Sequence, residues 1–276
     1  MLLGGHVGIG GGFSNAVSSG IDIGADIIQI FTRNQMQWKA KPIDEEAAVK
    51  FRNDFRTSGL KGIIAHGSYL TNLASPEKKT LKMSIGAVIE EVGRCAQLGI
   101  GTYIFHPGSH VGAGDEKGSR TEAESLKTVL SKTDKLPVRL AVENMAGQGN
   151  TLCHDFGALA DILGMVGSER VGVCLDTCHM FASGYDIRDR ESLDSTMKEF
   201  KKEVGMKRLL AMHINDSKGQ LGSRIDRHEK IGKGNIGIEG FGALMHYRGL
   251  SRIPMALETP GGEENYREEI ALLRTL

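Results

Sequence analysis

Residues 209–237 read LLAMHINDSKGQLGSRIDRHEKIGKGNIG. Four apolar residues, Leu209–Met212, stop abruptly on His213, and a long polar loop follows that carries Asp226 and His228. A short apolar run bounded this way reads as a buried strand. An Asp-x-His pair in an extended segment places a carboxylate and an imidazole on one face. Those are ligand types that a borderline ion such as zinc accepts. Lys218, Arg224, Arg227, Lys230 and Lys233 outnumber the acids around them. Metal ligands inside a basic loop suit a phosphate-bearing substrate. Taken alone, the stretch reads equally well as a solvated loop.

The same pattern of an apolar run closed by a polar residue recurs along the chain. Runs at Leu2–Ile9 and Asp26–Phe31 come first. Ile63–Ala65 then ends at His66, Tyr103–Phe105 at His106, Leu140–Val142 at Glu143 and Val171–Leu175 at Asp176. Leu209–Met212 ends at His213 and Ile253–Leu257 at Glu258. Amphipathic stretches lie between them. Asp44 is an N-cap for a helix burying Phe51 and Phe55. Ser75-Pro76 starts a helix whose stripe includes Leu81, Ile85, Val88, Val92 and Cys95. Thr121 and Glu124 read as a capping box. Further helical patterns cover 156–166, 193–204, 241–247 and 265–273. Eight strands alternating with helices predict a (β/α)₈ barrel, with its active site at the C-terminal face of the strands. An open doubly wound sheet is the alternative. It is disfavoured by the strand count and by the lack of a Gly-x-Gly-x-x-Gly turn after the first strand. The chain reads as one domain over 1–276.

Lys+Arg and Asp+Glu are both 34, so no strongly basic coat for nucleic acid exists, although local basic loops do. Hydrophobic content of 40% excludes disorder, and 37 glycines fit many tight turns. Cys95, Cys153, Cys174 and Cys178 form no CxxC pair; reduced thiols in a cytoplasmic protein are expected. No run reaches membrane-spanning length, and no basic-then-apolar leader opens the chain.

In a barrel all strand C-termini meet on one face, so six strand-end ligand types share one cup: His66, His106, Glu143, Asp176, His213 and Glu258. His179 follows Asp176 by one turn, and Asp226 and His228 come from the loop. A lone His or Asp at a strand end is more often a hydrogen-bonded cap than a ligand. Six on one face would repel without cations. At three or four ligands per ion, nine ligands suit two or three ions, and two-metal sites act in displacement at phosphorus. His6, ending the first strand, is expected to donate to a ligating carboxylate.

The chain resembles the endonuclease IV type of apurinic/apyrimidinic endonuclease. The resemblance rests on FTRNQMQW (31–38), HGSYLTNL (66–73), FHPGSH (105–110), ENMAGQG (143–149), CLDTCH (174–179), the 213–237 stretch and LETP (257–260). It implies a (β/α)₈ barrel holding three zinc ions, with manganese or iron admissible at some sites. His66, His106 and Glu143 would hold the first ion. Glu143 would bridge to a second held by Asp176, His213 and Glu258, and His179, Asp226 and His228 would hold the third. It further implies hydrolysis of damaged double-stranded DNA on the 5′ side of an abasic site, with Glu143 and Glu258 catalytic. The products are a 3′-hydroxyl and a 5′-deoxyribose phosphate, and trimming of blocked 3′ ends is a secondary activity. The implied DNA contacts are Arg33, Asn34, Met36, Gln37, Tyr69, Leu70, Lys218, Arg224 and Arg227, in a monomer. Met36 departs from the arginine known at that place in one family member; it can wedge between bases but cannot stack as a guanidinium does. A divalent-metal sugar isomerase or epimerase on a related barrel is the rival enzyme, and a damage-binding module with structural metals the rival non-enzyme. The isomerase does not predict the third ligand group set in a basic loop, and measured turnover separates the binding module from an enzyme.

Overall fold

The apolar runs become eight parallel strands in the computed structural model, which describes Met1–Leu276. They are β1 (Leu2–His6), β2 (Ile27–Phe31), β3 (Gly62–His66), β4 (Thr102–Phe105), β5 (Arg139–Glu143), β6 (Val171–Asp176), β7 (Leu209–His213) and β8 (Pro254–Leu257). Each pairs with its neighbours in chain order and β8 closes on β1, giving the expected barrel. Register is set by burial on both faces. Ile28 and Ile30 point out to the helices, while Ile27 and Gln29 point inward. The barrel interior is apolar at its base, where Ile27, Ile64, Ile104 and Leu210 meet, and polar at its C-terminal mouth. The first run is shorter than expected because its glycines serve close approach rather than packing. A Cβ on Gly4 would lie 1.7 Å from the Ile27 carbonyl oxygen.

Nine α-helices surround the barrel. α1 spans Phe13–Asp22, and α2 spans Glu45–Ser58 with Asp44 accepting from the Ala47 N–H as expected. α3 (Lys78–Leu98) starts two residues beyond Ser75-Pro76. Glu77 is its cap, and Ser75 accepts from the Glu77 N–H in the preceding turn. The Thr121–Glu124 capping box is corrected: both lie inside α4 (Asp115–Lys132). Gly118, inside this helix, is a contact point, where a Cβ would meet the His110 Cβ at 2.8 Å. Then follow α5 (Phe156–Val166), the short α6 (Thr177–Ser183), α7 (Arg190–Glu203), α8 (Gly237–Met245) and α9 (Gly262–Thr275). All four cysteines are buried and free. No helix is long and apolar enough to cross a membrane.

One buried group opposes this packing. Glu122 of α4 is fully buried, and neither carboxylate oxygen has a partner. Burial pushes its carboxyl well above the usual 4.5, so it stays protonated in the fold over a range where the unfolded chain ionises it. The native state then binds more protons. Stability should fall as pH rises above about 4.5 and level off past the folded-state value. Glu122→Met, similar in volume and without charge, should raise stability by about 2 kcal/mol at pH 8 and by less at pH 4. Thermal melts of both proteins across that range test this; an equal gain at both ends would refute the ionisation argument.

Candidate metal centre

The barrel mouth collects the nine ligand types. His66, Glu143, Asp176 and His213 are the last residues of β3, β5, β6 and β7. His106 and Glu258 follow β4 and β8 by one residue. The Asp176 carboxylate accepts from the His179 N–H at 2.9 Å, which caps α6 and turns His179 into the cup. A two-residue antiparallel hairpin, Asp216–Ser217 against His228–Glu229, carries His228 across the mouth from the long loop. Three groups emerge with all donor atoms within 4.8 Å of one another: His66–His106–Glu143, Glu143–Asp176–His213 and His179–Asp226–His228. Glu258 joins His66 and His213 in a further such group. Glu258 thus stands with His66 and His213 rather than with Asp176, and Cys178 meets Asp176 and His228 in a fifth group.

Glu143 is the centre of the arrangement. Its Oε2 lies 3.1 Å from His66 Nε2 and 3.4 Å from His106 Nε2, and its Oε1 lies 3.0 Å from His213 Nδ1. Asp226 Oδ1 stands 3.2 Å from His179 Nε2 and 3.6 Å from His228 Nε2. Four of the five rings are oriented the same way. His66 Nδ1 faces the Gly67 carbonyl at 2.9 Å, His179 Nδ1 the Asn144 carbonyl at 2.9 Å, and His228 Nδ1 the Glu258 carbonyl at 3.3 Å. His213 Nε2 faces Gln29 Oε1 at 2.9 Å. Each acceptor takes the ring N–H and so fixes a tautomer whose other nitrogen points into the cup. Metal-binding histidines are arranged in this way. Nε2 of His228 is buried with no hydrogen-bond partner, and Nε2 of His179 faces only Asp226 Oδ1, as ligand atoms turned to a cation would.

Electrostatics agree with this fit. Burial alone would push the Glu143 and Glu258 carboxyls up and the His179 and His213 imidazoles down. Their mutual attraction reverses both effects. His213 and His106 hold Glu143 well below the usual carboxylate range, and His213 and His6 do the same for Glu258. Asp176, Asp226 and Glu143 hold His179 well above its usual value, and Cys174, Glu258 and Glu143 do so for His213. A site that attracts positive charge this strongly can exchange protons for divalent cations.

Several supporting residues were not singled out from sequence. Gln29 Nε2 donates to Glu258 Oε1 at 2.6 Å while its Oε1 holds His213, so one buried amide orients two ligands. Asn215 donates to Asp176 Oδ2 at 2.7 Å and accepts the Glu258 N–H at 2.9 Å. Asn144 accepts the Asp176 N–H at 2.7 Å. Gln29 did carry a signal, as the one polar residue inside the run DIIQIF after its opening aspartate. His6 Nδ1 lies 3.2 Å from Glu258 Oε1 and 2.9 Å from the donating Gln29 Nε2, so it neighbours the carboxylate through a shared amide. His110 lies against Asp115 at 3.3 Å and accepts the Gly114 N–H, so it holds its own loop.

Around the cup, five of the exposed large apolar side chains stand on loops after strands: Met36, Tyr69, Val111, Leu221 and Ile225. Tyr69 is packed edge-on against Phe31 and beside His66 and His106, with ring centroids 5.5–5.8 Å apart, at the lip of the first ligand group. Val111 (φ 45°) and Arg224 (φ 57°) hold left-handed backbone that a side chain disfavours. Asn34 and Gln37 are exposed and Leu70 is half-buried; Asn34 Oδ1 accepts the Met36 N–H and shapes the tip of that loop. Lys218, Arg224 and Arg227 are exposed on the long loop. Arg33 is a correction. It is 4% exposed and its guanidinium turns inward to Glu91, so it is not available to DNA.

Comparison with known proteins agrees with this geometry. A family model described as "Xylose isomerase-like TIM barrel" matches residues 20–276. A probable endonuclease 4 of Chloroflexus aurantiacus is 42% identical, covering 99% of this chain and 97% of that protein. One from Chlorobium limicola is 45% identical, covering 99% and 95%. Among solved structures, endonuclease IV from Thermus thermophilus superposes with a TM-score of 0.88 at 30% identity, covering 100% of this chain and 98% of that one. A D-tagatose 3-epimerase-like protein, at 16% identity and a TM-score of 0.74, shares the fold alone. The chain therefore belongs to the endonuclease IV family of xylose isomerase-like TIM barrels.

Proposed function

We propose that this enzyme hydrolyses duplex DNA on the 5′ side of an abasic site, leaving a 3′-hydroxyl and a 5′-deoxyribose phosphate. Removal of blocked 3′ ends is a second use of the same cup. The observation that carries the proposal is the orientation of the rings: four of the five imidazoles have one nitrogen tied to an oxygen and the other aimed among carboxylates. The basic loop that supplies Asp226 and His228 adds the preference for phosphate. The nine residues His66, His106, Glu143, Asp176, His179, His213, Asp226, His228 and Glu258 would hold three zinc ions. When bound, such cations polarise a phosphodiester, supply a nucleophile from water near neutral pH and neutralise the departing oxygen.

The chain's own residues do the rest. Glu143 and Glu258 present oxygens at the cup floor, and Gln29 and Asn215 keep Glu258 from turning away. Tyr69 walls one side and restricts water. Met36, at the tip of the loop after β2, is exposed and unbranched, suited to enter a base step from the minor groove. An abasic nucleotide has no base to unpair, so extruding it into the cup costs less than extruding an intact one. Lys218, Arg224 and Arg227 would meet phosphates, which makes binding weaken with salt. The residues 1–276 act as one domain, in a cytoplasmic monomer.

A duplex carrying one tetrahydrofuran abasic analogue tests the reading, because the analogue blocks β-elimination and only hydrolysis can cut it. Incision on the 5′ side should disappear on chelation and return with added zinc. Intact duplex in the presence of zinc-loaded protein would sink the proposal and direct assays to free ketoses.

A further inference from the structure

Arg33 and Glu91 form an ion pair beneath the rim that the metal cup does not use. Arg33 Nε lies 2.9 Å from Glu91 Oε1, with side chains 2% and 1% exposed. Stripping water from both ions offsets most of their attraction, so such a pair is weak evidence for stability. Its neighbours suggest another role. Arg33 Nη1 donates to the Trp38 carbonyl at 3.1 Å and closes the loop after β2 upon itself. Glu91 lies on α3, which also holds the loop after β3, where Ser84 Oγ accepts the Asn72 N–H at 2.9 Å. Ser68 Oγ, in the same loop, donates to the Gln35 carbonyl at 2.6 Å. The Tyr103 hydroxyl sits against Gly67, where a Cβ would come within 2.4 Å of it, so the second loop cannot settle lower. The two loops joined in this way carry Met36 and Tyr69, exposed by 66% and 53%.

We propose that the Arg33–Glu91 pair is a positioning device that locks the Met36 and Tyr69 loops together at one height above the cup, so that a damaged duplex is captured in a single pose. It acts on capture and leaves the hydrolytic step alone. The proposal rests on the duplex reading of the metal cup and narrows how that duplex is held.

The decisive variant is Arg33→Met with Glu91→Met, which keeps volume and removes both charges. A merely structural pair replaced in this way leaves the protein as stable and as active as before. A positioning pair leaves melting temperature and metal content unchanged but raises KM for the tetrahydrofuran duplex by about 10-fold, with kcat within about twofold. Arg33→Lys keeps the charge but lacks the fork that reaches both Glu91 and Trp38, and should give an intermediate KM. It also decides the matter by the same split if the double variant does not fold. Unchanged KM in a stable variant overturns the inference, and so does a fall in kcat accompanied by lost metal. Failure of the wild type to cut the duplex condemns the functional reading instead, and the two failures are distinct.

Discussion

Glu143→Gln should lower incision of the abasic duplex by about 10⁴-fold, equivalent to about 5.5 kcal/mol of barrier, while the barrel stays folded. The carboxylate lies among four imidazoles: Oε2 faces His66 and His106, and Oε1 faces His213 and His179 at 3.0 and 3.3 Å. It is the residue shared by the His66–His106 group and the Asp176–His213 group. An amide keeps the shape but removes the charge, and it turns one acceptor into an N–H donor aimed at imidazole nitrogens. Two neighbouring cations would lose their shared ligand at once, and binding energy from the rest of the DNA cannot replace that. Metal analysis of the purified variant should find about two fewer ions per chain than the wild type, the number that Glu143 would bridge. Circular dichroism should stay near wild type, while the melting temperature should fall because the four imidazoles lose their carboxylate partner. Activity within about tenfold of wild type, with full metal content, would remove Glu143 from the centre of the mechanism.

That expectation was available before any coordinates, because a barrel brings strand ends together whatever their separation in sequence. The run LAVE at 140–143 shows an apolar strand ending in a carboxylate, and the fold supplies its company. The residues that orient the ligands were harder to read. Gln29 stands out inside its strand, yet its partners His213 and Glu258 lie 184 and 229 positions away. Nothing local specifies them. Arg33 misleads for the opposite reason. A basic residue in an exposed-looking loop reads as a phosphate contact, while the acid that buries it sits on the inner face of α3. Local patterns report which residues a strand or helix buries, and they do not report which charge meets which across elements. The Asp44 cap of α2 stands where its local sequence puts it, whereas the Thr121–Glu124 pattern falls inside α4. Exposure of apolar side chains on the rim, at Val111, Leu221 and Ile225, becomes visible only with the fold.

The loop after β7 carries the other large expected effect. Asp216→Ala should destabilise the protein by about 3–5 kcal/mol and release the third ligand group. Asp216 is fully buried in a loop that reads as polar throughout. Its Oδ1 accepts the backbone N–H groups of Ser217 at 2.8 Å and Ile236 at 3.0 Å, and Oδ2 accepts that of Gly234 at 2.9 Å. One carboxylate thus ties the start of the loop to its end, and a Cβ on Gly234 would fall 2.5 Å from Oδ1. Asn235 adds contacts to the Ser217 and Lys218 carbonyls, and the span between folds over as the hairpin holding His228. Alanine leaves three buried donors unpaired and the hairpin without its anchor. Asp226 and His228 then lose their register with His179, which α6 holds separately. Asp216→Asn should fall between alanine and wild type. Its carbonyl oxygen can still serve Ser217 and Ile236, but its amide opposes the Gly234 N–H. On the three-ion proposal, the alanine variant should retain about two ions, because the groups around Glu143 are built from other strands. Incision should fall by about 10- to 100-fold, the usual worth of the residues that position metal ligands. A variant that melts earlier but keeps a full complement of metal would separate the loop's stability from its ligands, and would show that Asp226 and His228 hold their places without Asp216.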